Sequence, residues 1–347
     1  MNYIGSKLSL CDFIENSIMA TLFSYGIEKK NNELTFADLF AGTGAIGAKF
    51  KKNGFNVVAN DIQYYSFVTN KHYIENTDIK LPNKESNDLF NHLTHLSGLE
   101  GYIYKNYSLG GTKGTDNERM YFSDENALLC DAMRMELEKL IENKDISEGM
   151  YYYALASLLN AIDKVANTAS VYGAFLKKLK KSAQKRIDLK PLEVIDGQAK
   201  YQVFNDDINK VIKKLSGDIL YLDPPYNERQ YCANYHMLET ISKYDNPVIK
   251  GKTGLRDYQD QKSAFCSSRT VVKAFNNLIN DANFKFIFLS YNNEGLMPLN
   301  TIKEIMSEYG EYRVYTQEYK RFKADKDENR AYDAEKTIEY LHCLIKK

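Results

Sequence analysis

Apolar residues recur every four positions at Leu10, Ile14, Ile18 and Leu22, so residues 8–24 read as an amphipathic helix. The pattern then changes to β-type runs at about 35–40 and 56–61, each followed by a helical pattern, which predicts the start of a parallel βαβ sheet. From about 76 to 200 this alternation stops. The segment carries Gly-rich turns at Gly110–Gly111 and Gly114, many tyrosines, and two long helical stretches near 125–143 and 149–168. It is too long for an ordinary crossover and predicts an inserted, largely helical lobe. Strand-like runs resume at 201–204, 218–222 and 285–291. Two more, at about 312–319 and 336–345, have no clear helix between them and predict an antiparallel edge hairpin. Residues 1–75 and 201–347 are therefore expected to build one α/β domain, and 76–200 a second.

Chemistry-bearing residues gather at the predicted strand ends. Residues 36–47 form a β-type run broken by Gly42 and Gly44, where glycine lets the main chain turn tightly and approach a ligand without a Cβ in the way. Gly42, Gly44 and Gly47 match the spacing of the dinucleotide fingerprint, but they follow an acid, Asp38, inside the strand. Such an acid suits a cofactor carrying a sulfonium and an amino acid tail. Asp61 ends the second run, where an acid is placed to bind ribose hydroxyls. Asp206 ends a third run, with Asp207 beside it as a candidate helix cap. Any one of these acids alone has an ordinary explanation as a cap. With Asp223 they make four, from four strands, and together with the glycine turn they are harder to explain that way.

Asp223-Pro224-Pro225-Tyr226 closes an apolar run. Two consecutive prolines keep this main chain stiff and extended. The Asp223 carboxylate and the Pro224 carbonyl then face one donor, such as the exocyclic amine of a nucleobase, and Tyr226 offers a face on which that base stacks. By itself the tetrad reads equally as a strand-end turn with a surface tyrosine. None of His72, His92, His95, His236 or His342 adjoins it, and all five read as structural or surface residues.

Phe40-Ala41-Gly42-Thr43-Gly44 resembles the cofactor loop of S-adenosylmethionine-dependent methyltransferases, and Asp223-Pro224-Pro225-Tyr226 resembles the catalytic tetrad of amino-methylating DNA methyltransferases. Asn2-Tyr3-Ile4-Gly5-Ser6-Lys7 resembles the amino-terminal cofactor motif of the Dam-like, class alpha adenine methyltransferases, whose motif order this chain keeps over nearly its whole length. The resemblance implies a Rossmann-like methyltransferase fold: a mostly parallel seven-stranded sheet with an antiparallel edge hairpin, plus a helical target-recognition insertion. It also implies S-adenosyl-L-methionine as cofactor, held by Tyr3, Lys7, Asp38, Phe40, Gly42, Thr43, Gly44, Asp61, Asp206 and Asp223. By the same resemblance Asp206 reads the cofactor's adenine amino group. Asp223, Pro224, Pro225 and Tyr226 then carry methyl transfer to an adenine amine swung out of double-stranded DNA.

Charge complicates a nucleic-acid partner, because Lys+Arg and Asp+Glu are both 46 and the net field offers phosphates no general attraction. Attraction must be local. Residues 177–186 hold Lys177, Lys178, Lys180 and Lys181 with no acid, and as a helix would present cations around much of its circumference. A solvated face is the plain reading, and a phosphate-tracking wall the functional one. Lys320 and Arg321 form a second basic candidate, and Arg229 and Tyr231 lie just past the tetrad as candidates for a phosphate contact and a base-pocket wall.

Asp rather than Asn at 223 disfavours a protein-glutamine substrate, and Asp rather than Ser disfavours cytosine. A ribosomal RNA base-amino methyltransferase and a catalytically silent DNA-binding relative remain as alternatives. Five scattered cysteines without Cys-x-x-Cys argue against zinc, so no metal is expected, and reduced thiols point to a cytoplasmic protein. No apolar stretch approaches the roughly 20 residues of a membrane helix, and no signal pattern opens the chain. A monomer is expected, with a cognate restriction endonuclease as a possible partner.

Overall fold

The computed structural model describes residues 5–77, 81–320 and 336–347. The described residues form two compact units. One comprises Gly5–Ile62, Gly197–Gln230 and Gln261–Lys347, and contains a seven-stranded sheet. Its strands are β1 (Thr35–Asp38), β2 (Asn56–Asn60), β3 (Tyr201–Phe204), β4 (Ser216–Leu222), β5 (Asn283–Asn292), β6 (Gly310–Lys320) and β7 (Lys336–Lys346). Their spatial order is β3-β2-β1-β4-β5-β7-β6. The first five are parallel; β7 pairs antiparallel with β5 and with β6, which makes the expected edge hairpin.

Helices on the faces explain why the central strands are so apolar, since a parallel strand covered on both sides has few positions for polar side chains. From Phe284 to Asn292, β5 is buried at every residue except Lys285. Helix Val271–Asp281 turns Val271, Phe275, Leu278 and Ile279 inward, and Leu299–Tyr309 adds Ile302, Ile305 and Met306. Phe36 of β1 stacks on Phe50 of helix Ala45–Lys52 at 3.7 Å between ring centroids, with Phe55 edge-on to Phe50. Helix Cys11–Ser24 buries Ile14, Ile18 and Leu22, the stripe read from the sequence, and its Thr21 hydroxyl bonds that of Tyr315 on β6 at 2.8 Å.

The second unit is helical and comprises Gln63–Asp196 with Tyr231–Asp260. This differs from the expected 76–200. Helices Tyr64–Asn70 and His236–Lys243 belong to it because Tyr65, Val68, Tyr235, Met237, Leu238 and Ile241 share its core, and because Glu239 accepts the Tyr65 N–H. Its two long helices, Asp124–Glu142 and Glu148–Val165, are capped by Ser123 and Ser147, whose hydroxyls accept the N–H groups of Asn126 and Met150. The tyrosine richness of this stretch reflects a core of buried rings whose hydroxyls reach carbonyls: Tyr107 donates to Gly254 and Tyr121 to Tyr172.

Residues 177–186 are turns rather than a helix. The Asn167 side chain accepts the Lys180 N–H at 3.0 Å and the Lys180 ammonium donates to the Thr168 carbonyl at 2.7 Å, so tertiary bonds replace the helical ladder. Lys177, Lys178 and Lys181 are exposed.

Buried Asp131 organises this unit, because its carboxylate accepts the N–H groups of Gly101, Ile103 and Tyr104 at the start of helix Tyr102–Tyr107. Asp131→Ala strands those donors and is expected to destabilise the protein by about 3 kcal/mol. A urea titration checks this, with a lower midpoint at unchanged slope as the expected result.

Candidate active site

Strand order reverses between β1 and β4, the place in an open parallel sheet where ligands meet the carboxyl ends of the strands. Asp38 ends β1 opposite Tyr221 of β4, and Asp223 follows β4 directly. Asn60 ends β2 opposite Phe204 of β3, which brings Asp61 and Asp206 to the same end of the sheet.

The glycine turn is built as its sequence requires. Gly42 and Gly44 have φ of 51° and 79°, a left-handed conformation that favours glycine, and Gly44 caps helix Ala45–Lys52. Asp61 Oδ2 accepts the Gly42 N–H at 2.8 Å, so the second strand's acid anchors the loop of the first. Phe40 is half-buried edge-to-face against Phe265 at 5.2 Å, and Thr43 is half-buried within the turn.

Asp38 accepts the N–H groups of Phe40 and Gly47, yet its Oδ1 is buried without a hydrogen-bond partner. Burial pushes its carboxyl well above the usual range, and the charges of Asp223 and Asp61 add to the rise. A cationic group fits such an oxygen. S-adenosylmethionine carries an ammonium and a sulfonium, so the residues present suit it.

Asp206 accepts the Asp207 N–H at 2.8 Å and the Lys210 ammonium at 3.2 Å through a single oxygen, Oδ1, and its carboxyl lies below its usual value because of these bonds. Asp207 caps helix Ile208–Val211, the alternative raised for it from the sequence.

Lys7 gives the tetrad its character. Its ammonium lies 3.2 Å from Asp223 Oδ1 and 2.9 Å from Oε1 of Glu339 on β7, and 5.5 Å from the centroid of the Tyr226 ring. Lys7 and Glu339 are buried and Asp223 is 17% exposed. Burial works against the Lys7 charge, but Asp223 and Glu339 together overcome it and hold the ammonium's pKa well above its usual value. Burial pushes Asp223 up to about 7; Lys7 opposes the rise and Glu339 adds to it. The Ser290 hydroxyl donates to Glu339 Oε1 at 3.0 Å. Tyr226 packs edge-to-face on Tyr291, and its carbonyl accepts the Leu296 N–H at 3.0 Å.

Sequence reasoning missed Glu339 and Ser290. The one signal was a lone acid inside an otherwise strand-like run, Thr337-Ile338-Glu339-Tyr340-Leu341. Of the other expected site residues, Arg229 is exposed, and Tyr231 stacks on Tyr235 within the helical unit. Tyr3 and Arg321 lie outside the described residues, and of Lys320 only the main chain in β6 is described. His72, His236 and His342 are buried and bonded to Glu193, Tyr172 and Tyr312 respectively. Among the described residues no cluster with metal-ligand composition occurs, and no helix is long and apolar enough to cross a membrane.

A sheet of this order, with a glycine turn, strand-end acids and an acid-proline-proline-tyrosine tetrad, defines an S-adenosylmethionine-dependent methyltransferase. The chain belongs to the D12 class N6 adenine-specific DNA methyltransferase family, whose model matches residues 3–305. It is 50% identical to Type II methyltransferase M.NlaIII of Neisseria lactamica, an alignment covering 100% of this chain and 99% of that protein. It is 38% identical to Type II methyltransferase M.FokI of Planomicrobium okeanokoites, over 100% of this chain and 53% of the relative. Type II methyltransferase M.CviAII of Paramecium bursaria Chlorella virus 1 is 34% identical over 93% of both chains. The protein is therefore an adenine-specific DNA methyltransferase using S-adenosyl-L-methionine, and the ribosomal RNA reading is set aside.

The raised Asp223 carboxyl has a sign that stability measurements detect. An exposed aspartate titrates near 3.9, whereas folding raises Asp223 to about 7, so the folded state binds this proton more tightly than the unfolded chain. The resulting stabilisation is complete below about pH 4 and is lost as pH rises through about 7. Asp223→Asn removes the titration. In urea unfolding of the free protein, wild type minus variant stability is expected to fall across that window, and a difference constant with pH would refute the assignment.

Proposed function

We propose that Asp223, Pro224, Pro225 and Tyr226 carry out the methyl transfer, with Lys7 fixing Asp223 and the strand-end residues holding the cofactor. The observation that carries this reading is the contact between the Lys7 ammonium and the part-buried Asp223, at the sheet end where Asp38 has an unpartnered oxygen. Asp38, Phe40, Gly42, Thr43, Gly44 and Asp61 are the candidate cofactor residues. Asp206 is the weakest of the set, since its Oδ1 already serves Lys210.

When bound, S-adenosylmethionine supplies an electrophilic methyl group; the rest falls to the chain. An adenine amine is a poor nucleophile because its lone pair is delocalised into the ring. The Asp223 carboxylate and the Pro224 carbonyl each accept one amino hydrogen, which draws the nitrogen toward the pyramidal form that attacks. With the cofactor held there, formation of the N–C bond would be balanced by loss of the C–S bond, whose electron pair would stay on sulfur. The surplus amine proton passes to Asp223 and then to solvent. A carboxyl titrating near 7 suits this task, because about half of it is ionised at neutral pH and free to accept, and it is basic enough to take up a proton. Holding amine and methyl carbon in line is worth up to roughly 7–11 kcal/mol. Extruding the base costs a few kcal/mol, part of which stacking on Tyr226 offsets.

Lys177, Lys178 and Lys181 are proposed to track phosphates, supported by their exposure and by the absence of an acid among them. Lys180 is better read as structural, given its bond to Thr168. Arg229, Tyr231, Lys320 and Arg321 stay as further candidates for DNA contact. The Type II names of the relatives support a role in restriction-modification beside a cognate endonuclease. A cytoplasmic monomer accords with an enzyme that modifies each strand separately.

Asp223→Ala is expected to lower single-turnover methylation of plasmid DNA by roughly 10²–10⁴-fold. Wild-type kcat/KM should fall on the acid side with an apparent pKa of about 7. Retained turnover in the variant would overturn the assignment. Replacing Lys177, Lys178 and Lys181 by Gln should weaken DNA binding and flatten the salt dependence, by about 0.9 in log–log slope for each phosphate that is no longer neutralised. An unchanged slope would remove these residues from the interface.

A further inference from the structure

The Lys7 ammonium has two carboxylate partners, and the proposed reaction uses only Asp223. Glu339, on β7, is fully buried and closer to the ammonium than Asp223 is, 2.9 against 3.2 Å. Its Oε1 also accepts the Ser290 hydroxyl, while its Oε2 is buried with no hydrogen-bond partner. Leaving a carboxylate oxygen unsatisfied in the interior is costly. A side chain needed only to neutralise Lys7 would place less charge there, because Asp223 alone already matches it.

We propose that Glu339 is a positioning residue for methyl transfer: it grips the Lys7 ammonium, so that Lys7 anchors Asp223 without claiming its carboxylate outright. Two carboxylates sharing one ammonium leave the cluster one negative charge in excess. Asp38 adds a further carboxyl from β1, and Tyr221 and Tyr226 supply the phenols that face Lys7 and Asp223. The Glu339 charge disfavours ionisation of Asp223 and weakens its pairing with Lys7. Asp223 then keeps the affinity for a proton that an amine-derived proton requires. Ser290 donates to the same Oε1 that faces Lys7, and so tempers the pull of Glu339 on the ammonium. This inference rests on the reading that Asp223 accepts from the adenine amine.

Glu339→Gln tests it, since it preserves shape while deleting the charge. With Lys7 given wholly to Asp223, the acid limb of kcat/KM is expected to move down by about one pH unit and the plateau kcat to drop about tenfold, with KM for cofactor and DNA little changed. Glu339→Asp, which restores the charge, should return the limb toward wild type. Independently of turnover, the pH dependence of thermal unfolding of the free protein should shift to lower pH in Glu339→Gln. A folded Gln variant whose pH limb and kcat match wild type overturns the proposal, as does one that loses active protein with the limb unmoved. Should the Gln variant fail to fold, Ser290→Ala replaces it: without the hydroxyl donor Glu339 holds Lys7 more tightly, and the limb should move up. An unmoved limb there overturns the proposal equally. Asp223→Ala run alongside separates the two readings, because an inactive Asp223 variant beside a silent Glu339 variant sinks only the role of Glu339.

Discussion

One ammonium between a buried and a part-buried carboxylate is the constraint on which the site depends. A lone lysine at this depth would be costly, and a lone aspartate would take up a proton and lose its acceptor role. Paired, Lys7 and Asp223 each hold the other's charge, and Glu339 keeps the pairing from becoming complete. Removing Lys7 strands two carboxylates at this depth, the situation in which buried ion pairs matter most. The ends of β4 and β7 must therefore stay in register with the segment that carries Lys7.

The sheet supplies that register. Parallel pairing of β1 with β2 and β4 sets Asp38, Asp61 and Asp223 at one end, and antiparallel pairing of β7 with β5 sets Glu339 opposite Asn292, the last residue of β5. The phenylalanine stack behind β1 and the aliphatic rows of the flanking helices hold these strands rigid. Two left-handed glycines then let the first loop turn onto Asp61. Local chemistry and packing point the same way, as a well-specified fold requires.

The helical unit follows another logic. Its tyrosines supply apolar area with a polar tip, and buried Asp131, Arg134 and Asn167 bond main-chain groups that helices and turns leave unpaired. Arg134 shows the principle: fully buried, it donates to the carbonyls of Ile241 and Ser242 near the end of helix His236–Lys243. Such bonds also explain why the basic run 177–186 folds into turns.

The sequence by itself determined the elements with a strong period and the motifs with a strict backbone requirement. These include the stripe of Leu10, Ile14, Ile18 and Leu22, the two long helices, the strand runs, the glycine turn and the proline-stiffened tetrad. Each depends on residues close together in the chain, where sterics and periodicity act directly. Tertiary structure alone decided that residues 231–260 pack with the helical unit, that 177–186 is not a helix, and that Glu339 meets Lys7 across 332 positions of chain. The physical reason is that a buried charge is defined by its partner, and no local pattern says which distant residue that partner is.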